Sequence, residues 1–298
     1  MKFNLNNMGW LATDLGQNLN GYQLMSDSHT GAVYLIDYGH GQKVVCKHDY
    51  KFQPTKNKEG NVNTSSLVSS EAHSLLYLKK NTILAVPHVI STHSSYLILN
   101  HIEQKKLNKR SELAAYDISN LHSQSHSNFG FEQNNYIAGI SQNNEWNSSW
   151  VDFYATQRLA PIAKHLQNKQ IIGKRFLDRI HLLCEKLDDY IPNKPKPSLL
   201  HGDLWAGNIL SSSEEKLVYI DPAPYYGHFE MEIAFLLMFQ TFNQDFYSIY
   251  NSFFRLDNDF YNTRVSLYQM YPQMVHAYLY DDASYLHPIH KTLEKLGF

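Results

Sequence analysis

A short polar segment about two thirds of the way along the chain carries a carboxylate and an amide, and a second carboxylate follows the next strand. Residues 201–208 read HGDLWAGN, and the apolar run after them ends at Asp221. In protein kinases this spacing places an Asp that orients the attacking hydroxyl, and an Asn and a second Asp that hold magnesium. Gly202 replaces the usual Arg and no Lys follows Asp203, as is typical of kinases acting on small molecules. The segment predicts phosphoryl transfer and favours an acceptor other than protein.

Length, charge and cysteine content narrow the class of protein. The 298 residues, 43% of them hydrophobic, suffice for two lobes, and a net charge of -2 gives no basic field for nucleic acid. No run is apolar enough to span a membrane, and the first residues lack a signal-peptide core. Cys46 and Cys184 lie far apart and indicate buried thiols in a reducing compartment. We expect a soluble, cytoplasmic protein, favoured as a monomer, with no nucleic-acid or membrane partner.

The pattern of the chain changes near residue 102, from short β-prone runs with one helix to mostly helical periodicity. The predicted strands are 22–25, 32–37, 43–47, 87–90, 96–99, 198–200 and 217–220; the predicted helices are 112–123, 150–167 and 173–190, one from Ser65 or Ser66 to about Lys80, and others from about Phe229 onward. This order predicts an α+β, bilobal, protein-kinase-like fold with a β-rich N-terminal lobe, residues 1–102, and a mostly helical C-terminal lobe, residues 103–298. ATP would bind in the cleft between the lobes, with adenine against the joining segment, which makes Asn100 and Ile102 candidate contacts.

A kinase site also needs a lysine on a strand and a glutamate on the next helix, and the first hundred residues contain both. Lys47 ends a predicted strand, and Glu71 falls on the apolar stripe of the following helix, four residues from Leu67 and from Leu75. A carboxylate there is costly unless a cation pairs with it. Taken singly, the two residues could be a surface lysine and a helix-edge glutamate. Together with the downstream segment, they favour a pair that holds the α- and β-phosphates of ATP.

The candidate loop over the phosphates is residues 26–31, SDSHTG. Such loops use several glycines to bring backbone N–H groups close to phosphate, whereas this one has only Gly31. The hydroxyl groups of Ser28 and Thr30 could assist, and Asp27 would repel phosphate unless it points away. This loop departs furthest from the pattern of an ATP site.

Asp203 is the expected catalytic base, which orients the substrate hydroxyl and takes its proton. A turn-capping aspartate is the alternative for that position. Asn208 and Asp221 are the expected ligands of Mg²⁺, a cation that prefers oxygen, although an Asp before Pro222 is also common in turns.

Three blocks of the sequence resemble the fructosamine kinase (ketosamine 3-kinase) family. Residues 199–208 have the Trp after Asp-Leu and the Gly before Asn that mark this family, and residues 219–232, YIDPAPYYGHFEME, resemble its Asp-Pro-Ala, Tyr-Gly-His and Glu…Glu pattern. The third block lies within residues 129–159, where Ile140-Ser141 replaces a usual Thr-Pro. The His-Gly-Asp element alone is shared with aminoglycoside and choline kinases, so the three blocks together point to the one family.

The resemblance implies ATP- and Mg²⁺-dependent phosphorylation of the sugar part of ketosamines, the products of glucose or ribose condensing with amines. In this family phosphate goes to the 3-hydroxyl, and the phosphorylated adduct breaks down and releases the amine, which is a deglycation repair. The substrate would be a ribulosamine or a fructosamine, either a free small molecule or one bound to protein.

Three further residues are candidates for the substrate side of the site. Trp205 could line the sugar pocket or simply pack against its neighbours. His228 and Glu232 could shape the acceptor side, although packing and helix capping explain them equally well. His201 is expected to brace the loop by hydrogen bonds.

Two other functions compete with a ketosamine kinase. One is a kinase for another small molecule, of the aminoglycoside or choline type, although choline would call for an aromatic or acidic cage. The other is an inactive pseudokinase that binds nucleotide, which only the glycine-poor loop supports.

Overall fold

The structure, a computed structural model, describes residues 8–28, 30–50, 55–56, 62–63, 66–93 and 95–298. His29, in the predicted phosphate loop, and Ser65, one of two predicted helix caps, lie outside these residues. The chain divides into a first unit, Met1–Asn108 with Leu210–Pro222, and a second unit, Lys109–Ile209 with Ala223–Phe298. The predicted boundary between residues 102 and 103 stays a prediction.

The described part of the first unit is built on a five-stranded antiparallel sheet. The elements of this unit up to residue 108 are α1 (Gly9–Leu15), β1 (Gly21–Asp27), β2 (Gly31–Asp37), β3 (Lys43–Asp49), β4 (Thr55–Lys56), β5 (Val62–Asn63), α2 (Leu67–Asn81), β6 (Val89–His93) and β7 (Tyr96–Asn100). The strand order in the sheet is β1-β2-β3-β7-β6. The two-residue strands β4 and β5 pair with each other.

The two faces of this sheet bury different side chains, as strand alternation requires. In β3, Val44 and Cys46 belong to a core cluster that also contains Leu11 of α1. On the opposite face, Val45 packs against a second cluster that contains Leu75 of α2. Because Lys47 is two residues after Val45, it shares the face covered by α2, as the sequence predicted.

The second unit is mostly helical, with two short strand pairs among its described residues. Its elements are α3 (Arg110–Ser123), β8 (Asn135–Ile137), β9 (Ile140–Gln142), α4 (Trp150–Tyr154), α5 (Ala160–Asn168), α6 (Lys174–Cys184), β10 (Ser198–Leu200), β13 (Tyr225–Gly227), α7 (Phe229–Met238), α8 (Gln244–Tyr250), α9 (Val265–Tyr280) and α10 (His287–Lys295). Between them, β11 (Ile209–Ser211) and β12 (Leu217–Tyr219) form a hairpin, most of which belongs to the first unit.

In the second unit, the strand just before the candidate loop, residues 201–208, pairs with a strand that follows the loop in sequence. β10 pairs antiparallel with β13, with Leu199 opposite Tyr226. All three residues of β10 are buried, and β10 packs against α3 and α7. None of the helices in the described residues combines the length and the apolar character that a membrane crossing requires.

Candidate active site

In the first unit, the predicted lysine and glutamate form an ion pair. Lys47 Nζ donates a hydrogen bond to Glu71 Oε1 over 2.7 Å. The helix that carries Glu71 begins at Ser66, whose Oγ accepts a hydrogen bond from the backbone N–H of Ser69. Leu67 N–H donates to a carboxylate oxygen of Asp49, which ties the start of α2 to the end of β3. These contacts set the position of α2 over the sheet and so the position of Glu71 beside Lys47.

The second carboxylate of the predicted site also binds Lys47. Lys47 Nζ donates a close hydrogen bond to Asp221 Oδ1, and the Asp221 side chain is 44% exposed. Asp221 has a φ of 56°, in the left-handed region that non-glycine residues seldom adopt, although Asp tolerates it better than most. Backbone strain of this kind is concentrated at functional sites.

The ion pairing changes the acidity of both partners. Burial alone would lower the pKa of Lys47, but Asp221 and Glu71 outweigh it and raise that pKa above its ordinary value. Burial raises the pKa of Glu71 to about 7, against the opposing effect of Lys47 and with a contribution from Asp221. Lys47 is therefore a fixed cation between two carboxylates, and Glu71 can gain a proton near neutral pH.

The turn between β1 and β2 is ordered by the two hydroxyl residues predicted for the phosphate loop. Ser28 Oγ accepts hydrogen bonds from the backbone N–H groups of Thr30, at 3.3 Å, and Gly31, at 3.2 Å. The hydroxyls of Ser28 and Thr30 are 3.0 Å apart. A side-chain oxygen thus organises the turn in place of additional glycines, and the phosphate contacts of this loop stay a prediction.

Asn100 and Ile102, the predicted adenine contacts, lie at and just after the end of β7. The Asn100 side chain accepts a hydrogen bond from His88 N–H over 2.6 Å, and the backbone N–H of Asn100 donates to His88 O over 3.1 Å. Ile102 is half-buried. Asn100 therefore fixes the start of the segment that follows the sheet, and the nucleotide role of both residues stays a prediction.

In the second unit, the candidate loop brings Asp203 and Asn208 into direct contact. Asn208 Nδ2 donates to Asp203 O over 2.8 Å and to Asp203 Oδ2 over 3.0 Å. Asn208 is buried at the end of a short 3₁₀ turn, Ala206–Asn208. These bonds use the amide nitrogen, so they leave the amide oxygen, the atom that would bind a cation, out of the contact with Asp203.

Glu232 of α7 fixes the start of this loop by accepting hydrogen bonds from its backbone. Its Oε1 accepts a hydrogen bond from Gly202 N–H over 2.8 Å, and its Oε2 accepts from His201 N–H over 3.2 Å. Oε2 also accepts from His122 Nε2 over 2.9 Å, and His122 Nδ1 lies 2.6 Å from the Tyr250 hydroxyl. Burial alone would raise the pKa of Glu232, but these hydrogen bonds, led by that from His122, hold it below the ordinary value. Glu232 is thus an ionised, 3% exposed carboxylate that positions the loop backbone.

Trp205 and His228, the other two substrate candidates, occupy different environments. Trp205 is 39% exposed, and its ring covers Gly207, where an added Cβ would come within 2.4 Å of the ring. His228 is 5% exposed, and its Nδ1 lies 2.9 Å from the Tyr268 hydroxyl. Burial lowers the pKa of His228 to about 3, so its 3.6 Å approach to Glu230 is not an ion pair.

These positions separate the three substrate candidates. Trp205 is open to a ligand. His228 and Glu232 bond to groups inside the second unit, which corresponds to the packing alternative rather than to a direct substrate contact. Helix capping does not describe His228, since its side chain makes no cap hydrogen bond to α7, whose N-cap it is.

The two predicted cation ligands lie in different units, Asn208 in the second and Asp221 in the first, and each offers the kind of oxygen that a hard cation takes. The predicted ligands, Asn208 and Asp221, offer an amide oxygen and a carboxylate oxygen. Within the described residues, no three His, Cys, Asp or Glu side chains are grouped so that they could hold a metal ion by themselves. Mg²⁺ in phosphotransferases is bound by one or two carboxylates together with the phosphates of the nucleotide.

The sequence carried no signal for three residues that support the loop. His122 and Tyr250 lie on α3 and α8 and have no local pattern that marks them. Arg110, the first residue of α3, donates to Ala206 O over 3.0 Å and to Ile209 O over 2.8 Å. All three act through contacts far apart in sequence, which only the folded chain reveals.

A sheet bearing a lysine–glutamate pair, and a helical unit bearing an aspartate–asparagine loop, define the protein-kinase-like class of phosphotransferases. Comparison with known proteins agrees with this class. The chain resembles the crystal structure of a thermostable mutant of the aminoglycoside phosphotransferase APH(4)-Ia, with a TM-score of 0.63 over 97% of this chain and 99% of that one. At 14% identity this is a likeness of fold alone. The fold is therefore α+β and kinase-like.

Two proteins with a higher sequence identity to this chain carry names from one family. A Vibrio cholerae protein provisionally named ketoamine kinase is 31% identical over 235 residues, 76% of this chain and 80% of that protein. A Haemophilus somnus crystal structure, provisionally named fructosamine-3-kinase, aligns with a TM-score of 0.83 and 25% identity over 99% of this chain and 100% of that one. The family model described as fructosamine kinase matches residues 48–297. The chain belongs to the fructosamine kinase family, and it is a phosphotransferase with an alcohol group as acceptor.

Proposed function

We propose that this protein transfers the γ-phosphate of ATP, with Mg²⁺, to the 3-hydroxyl of the sugar in a ketosamine, either a ribulosamine or a fructosamine. The observation that carries the proposal is the contact of Lys47 with both Glu71 and Asp221. Holding a half-buried lysine between two carboxylates costs desolvation, which a kinase needs for its phosphate site and an inactive pseudokinase does not. Family membership supports the choice of a ketosamine as acceptor.

On the nucleotide side, Lys47 would bind the α- and β-phosphates while Glu71 holds its ammonium group in place. Asp221 and Asn208 would hold Mg²⁺, which supplies positive charge to offset the charge of the phosphates. Lys47 and a cation are alternative partners for the Asp221 carboxylate. The exposure of that side chain, 44%, supports its access to a ligand.

On the acceptor side, Asp203 would accept a hydrogen bond from the 3-hydroxyl and take its proton as the oxygen bonds to phosphorus. The bond from the γ-phosphorus to the bridging oxygen breaks at the same time and ADP leaves. Asn208 holds the Asp203 carboxylate, and Glu232 holds the backbone before it. Such fixed positioning supplies much of the rate in phosphoryl transfer.

Release of the amine from the phosphorylated product, and hence repair of glycated amines, is a further part of the proposal. We place the protein in the cytoplasm, where ATP is available and thiols stay reduced, as a monomer. Its two cysteines, Cys46 and Cys184, are free.

The substrate class is tested by incubating the protein with Mg-ATP and ribulosyl-lysine, fructosyl-lysine, choline or an aminoglycoside, while ADP release is followed. We expect turnover with at least one of the two ketosamines. Turnover confined to choline or the aminoglycoside would contradict the assignment, and nucleotide binding without any turnover would favour a pseudokinase. Free lysine is measured separately, because phosphorylation without amine release would contradict only the repair function.

A further inference from the structure

Five aromatic rings of the second unit form a continuous row that starts in the candidate loop. The aromatic row consists of Trp205, Phe239, His276, Tyr280 and Tyr285. Ring centroids are 5.7 Å apart for Trp205 and Phe239, and 5.3 Å apart for Phe239 and His276. The His276 ring lies 5.9 Å from that of Tyr280 and 5.6 Å from that of Tyr285. Each separation is that of a packed aromatic pair.

This aromatic row is accessible along its length. Tyr280 is 63% exposed, Trp205 39% and Tyr285 37%, while Phe239 and His276 are half-buried. Single exposed aromatic residues are ordinary, but a contiguous exposed group marks an interaction surface. The row therefore offers a docking surface that begins two residues after Asp203.

The outer end of the aromatic row is negatively charged. Asp281 and Asp282 follow Tyr280 directly, and both are exposed. Lys169 Nζ lies 3.6 Å from Asp281 Oδ1, so the three residues together carry one negative charge in excess. Aromatic faces and carboxylates both attract cations, so this surface is complementary to a positively charged partner.

We propose that the aromatic row is a docking surface for a cationic polypeptide segment that carries the sugar-modified lysine. This inference rests on the proposed function. An extended chain advances about 3.3 Å per residue, so rings 5 to 6 Å apart match about two residues each. A segment with its modified lysine at Asp203 would reach the two tyrosines after roughly six residues, whereas a free modified lysine is too short to reach them.

The test compares two substrates that present the same modified lysine. One is the free amino acid with its α-amino group blocked, and the other is a lysine-rich peptide of about ten residues, long enough by the same spacing. The protein variants are Tyr280→Ala and Tyr285→Ala, with Tyr280→Phe to keep the ring and Tyr261→Ala, another exposed tyrosine of the second unit, as matched control.

Tyr280→Ala and Tyr285→Ala are expected to raise KM for the peptide about fivefold each, as is typical for loss of one aromatic or cation–π contact. Neither variant should change kcat or the KM for the free amino acid. Tyr280→Phe and Tyr261→Ala should match the wild type with both substrates. The peptide KM should also rise with salt, because exposed charges are screened. Equal changes for the two substrates, or no change for the peptide, would overturn the inference.

A binding measurement tests the inference without turnover. The fluorescently labelled peptide is titrated with protein in the absence of ATP, and its anisotropy is followed. The wild type should bind it and Tyr280→Ala should bind it about fivefold more weakly. Failure of the proposed function would appear as absent turnover with intact, tyrosine-dependent binding. Equal binding of the peptide by both proteins would instead contradict the role of the aromatic row. A second contradicting result, measured by sedimentation, would be a wild-type dimer that Tyr280→Ala converts to monomers, since a second copy of the chain would then occupy this surface.

Discussion

Gly202, between His201 and Asp203, lies where the backbone leaves no room for a side chain. Its φ is 85°, and a Cβ at this position would lie 1.9 Å from the carbonyl oxygen of Ala223. Ala223 N–H meanwhile donates to His201 O over 2.9 Å, so the two segments cannot separate without losing a hydrogen bond. The close approach of these backbones requires glycine, which distinguishes this loop from the Arg-containing segment of protein kinases.

The change Gly202→Ala should therefore disturb the loop strongly. The left-handed backbone and the contact with Ala223 together should cost roughly 2–4 kcal/mol. We expect a Tm lower by several degrees and a large loss of kcat, measured by calorimetry and by ADP release. Gly21→Ala is the control, because Gly21 has no positive φ and an added Cβ there has nothing within 4 Å. A Gly202→Ala protein with wild-type Tm and kcat would contradict this description of the loop.

The ionisation of Glu71 should appear in the pH dependence of the reaction. Burial raises its pKa to about 7, so Glu71 is protonated below that pH and loses its charge-assisted bond to Lys47. We expect kcat/KM for ATP to rise as the pH increases through about 7. Glu71→Gln should have a lower kcat/KM and lack this rise. A rise near pH 7 that is unchanged in Glu71→Gln would assign the titration to another group.

At the scale of elements, three helices meet at the candidate loop through one buried network. Glu232 of α7 accepts hydrogen bonds from the loop and from His122 of α3, and His122 in turn contacts Tyr250 of α8. His122 Nε2 donates to Glu232 Oε2, and His122 Nδ1 lies 2.6 Å from the Tyr250 hydroxyl, so the ring bridges the carboxylate and α8. The helices thereby set the orientation of the Glu232 carboxylate, and through it the backbone that precedes Asp203.

His122→Asn should leave the Glu232 carboxylate without its histidine donor. A hydrogen bond to a charged group contributes about 1.5–3 kcal/mol, so we expect kcat to fall roughly 10- to 100-fold with little change in KM for ATP. His122→Gln, whose amide can reach the position of Nε2, should recover part of kcat. A parallel rise of KM for ATP, or equal kcat values for the Asn and Gln variants, would indicate a general packing defect instead.

The elements were predicted where local pattern decides them. The strand 198–200 and the helix capped by Ser66 match the structure, because a short apolar run after the proline-containing residues 191–197 and a capping serine specify them. The strand predicted from Pro87 starts instead at Val89, since proline lacks the N–H that a ladder needs. The helix predicted over 150–167 contains a π-helical segment, Ala155–Leu159, which the periodicity of the sequence does not predict.

Among the site residues, too, those that a local pattern marks were predicted, and those that depend on contacts between distant parts of the chain were not. Lys47 and Glu71 could be paired from strand alternation and helix periodicity, and the structure brings them to 2.7 Å. The support given by His122, Tyr250 and Arg110 depends on contacts between distant parts of the chain, so the sequence alone gave no reason to select them. Glu232 was singled out by resemblance, but its contacts with the loop backbone indicate positioning rather than substrate contact.

At the scale of the whole molecule, the α+β kinase-like fold was predicted correctly from the order of strands and helices and from three blocks of residues. Each unit carries its own group of candidate residues: Lys47, Glu71 and Asp221 in the first, and Asp203 and Asn208 in the second. Along the chain, the hairpin of β11 and β12 joins Asn208 to Asp221.

The most direct test of the proposed reaction is to locate the transferred phosphate and to ask whether Asp203 is needed. The protein is incubated with Mg-ATP and the ketosamine that it turns over, and the product is examined by phosphorus and carbon NMR. We predict a single phosphate on the 3-hydroxyl, and an Asp203→Asn protein that binds ATP with wild-type affinity and forms no product. A phosphate on another hydroxyl, or an active Asp203→Asn protein, would contradict the account.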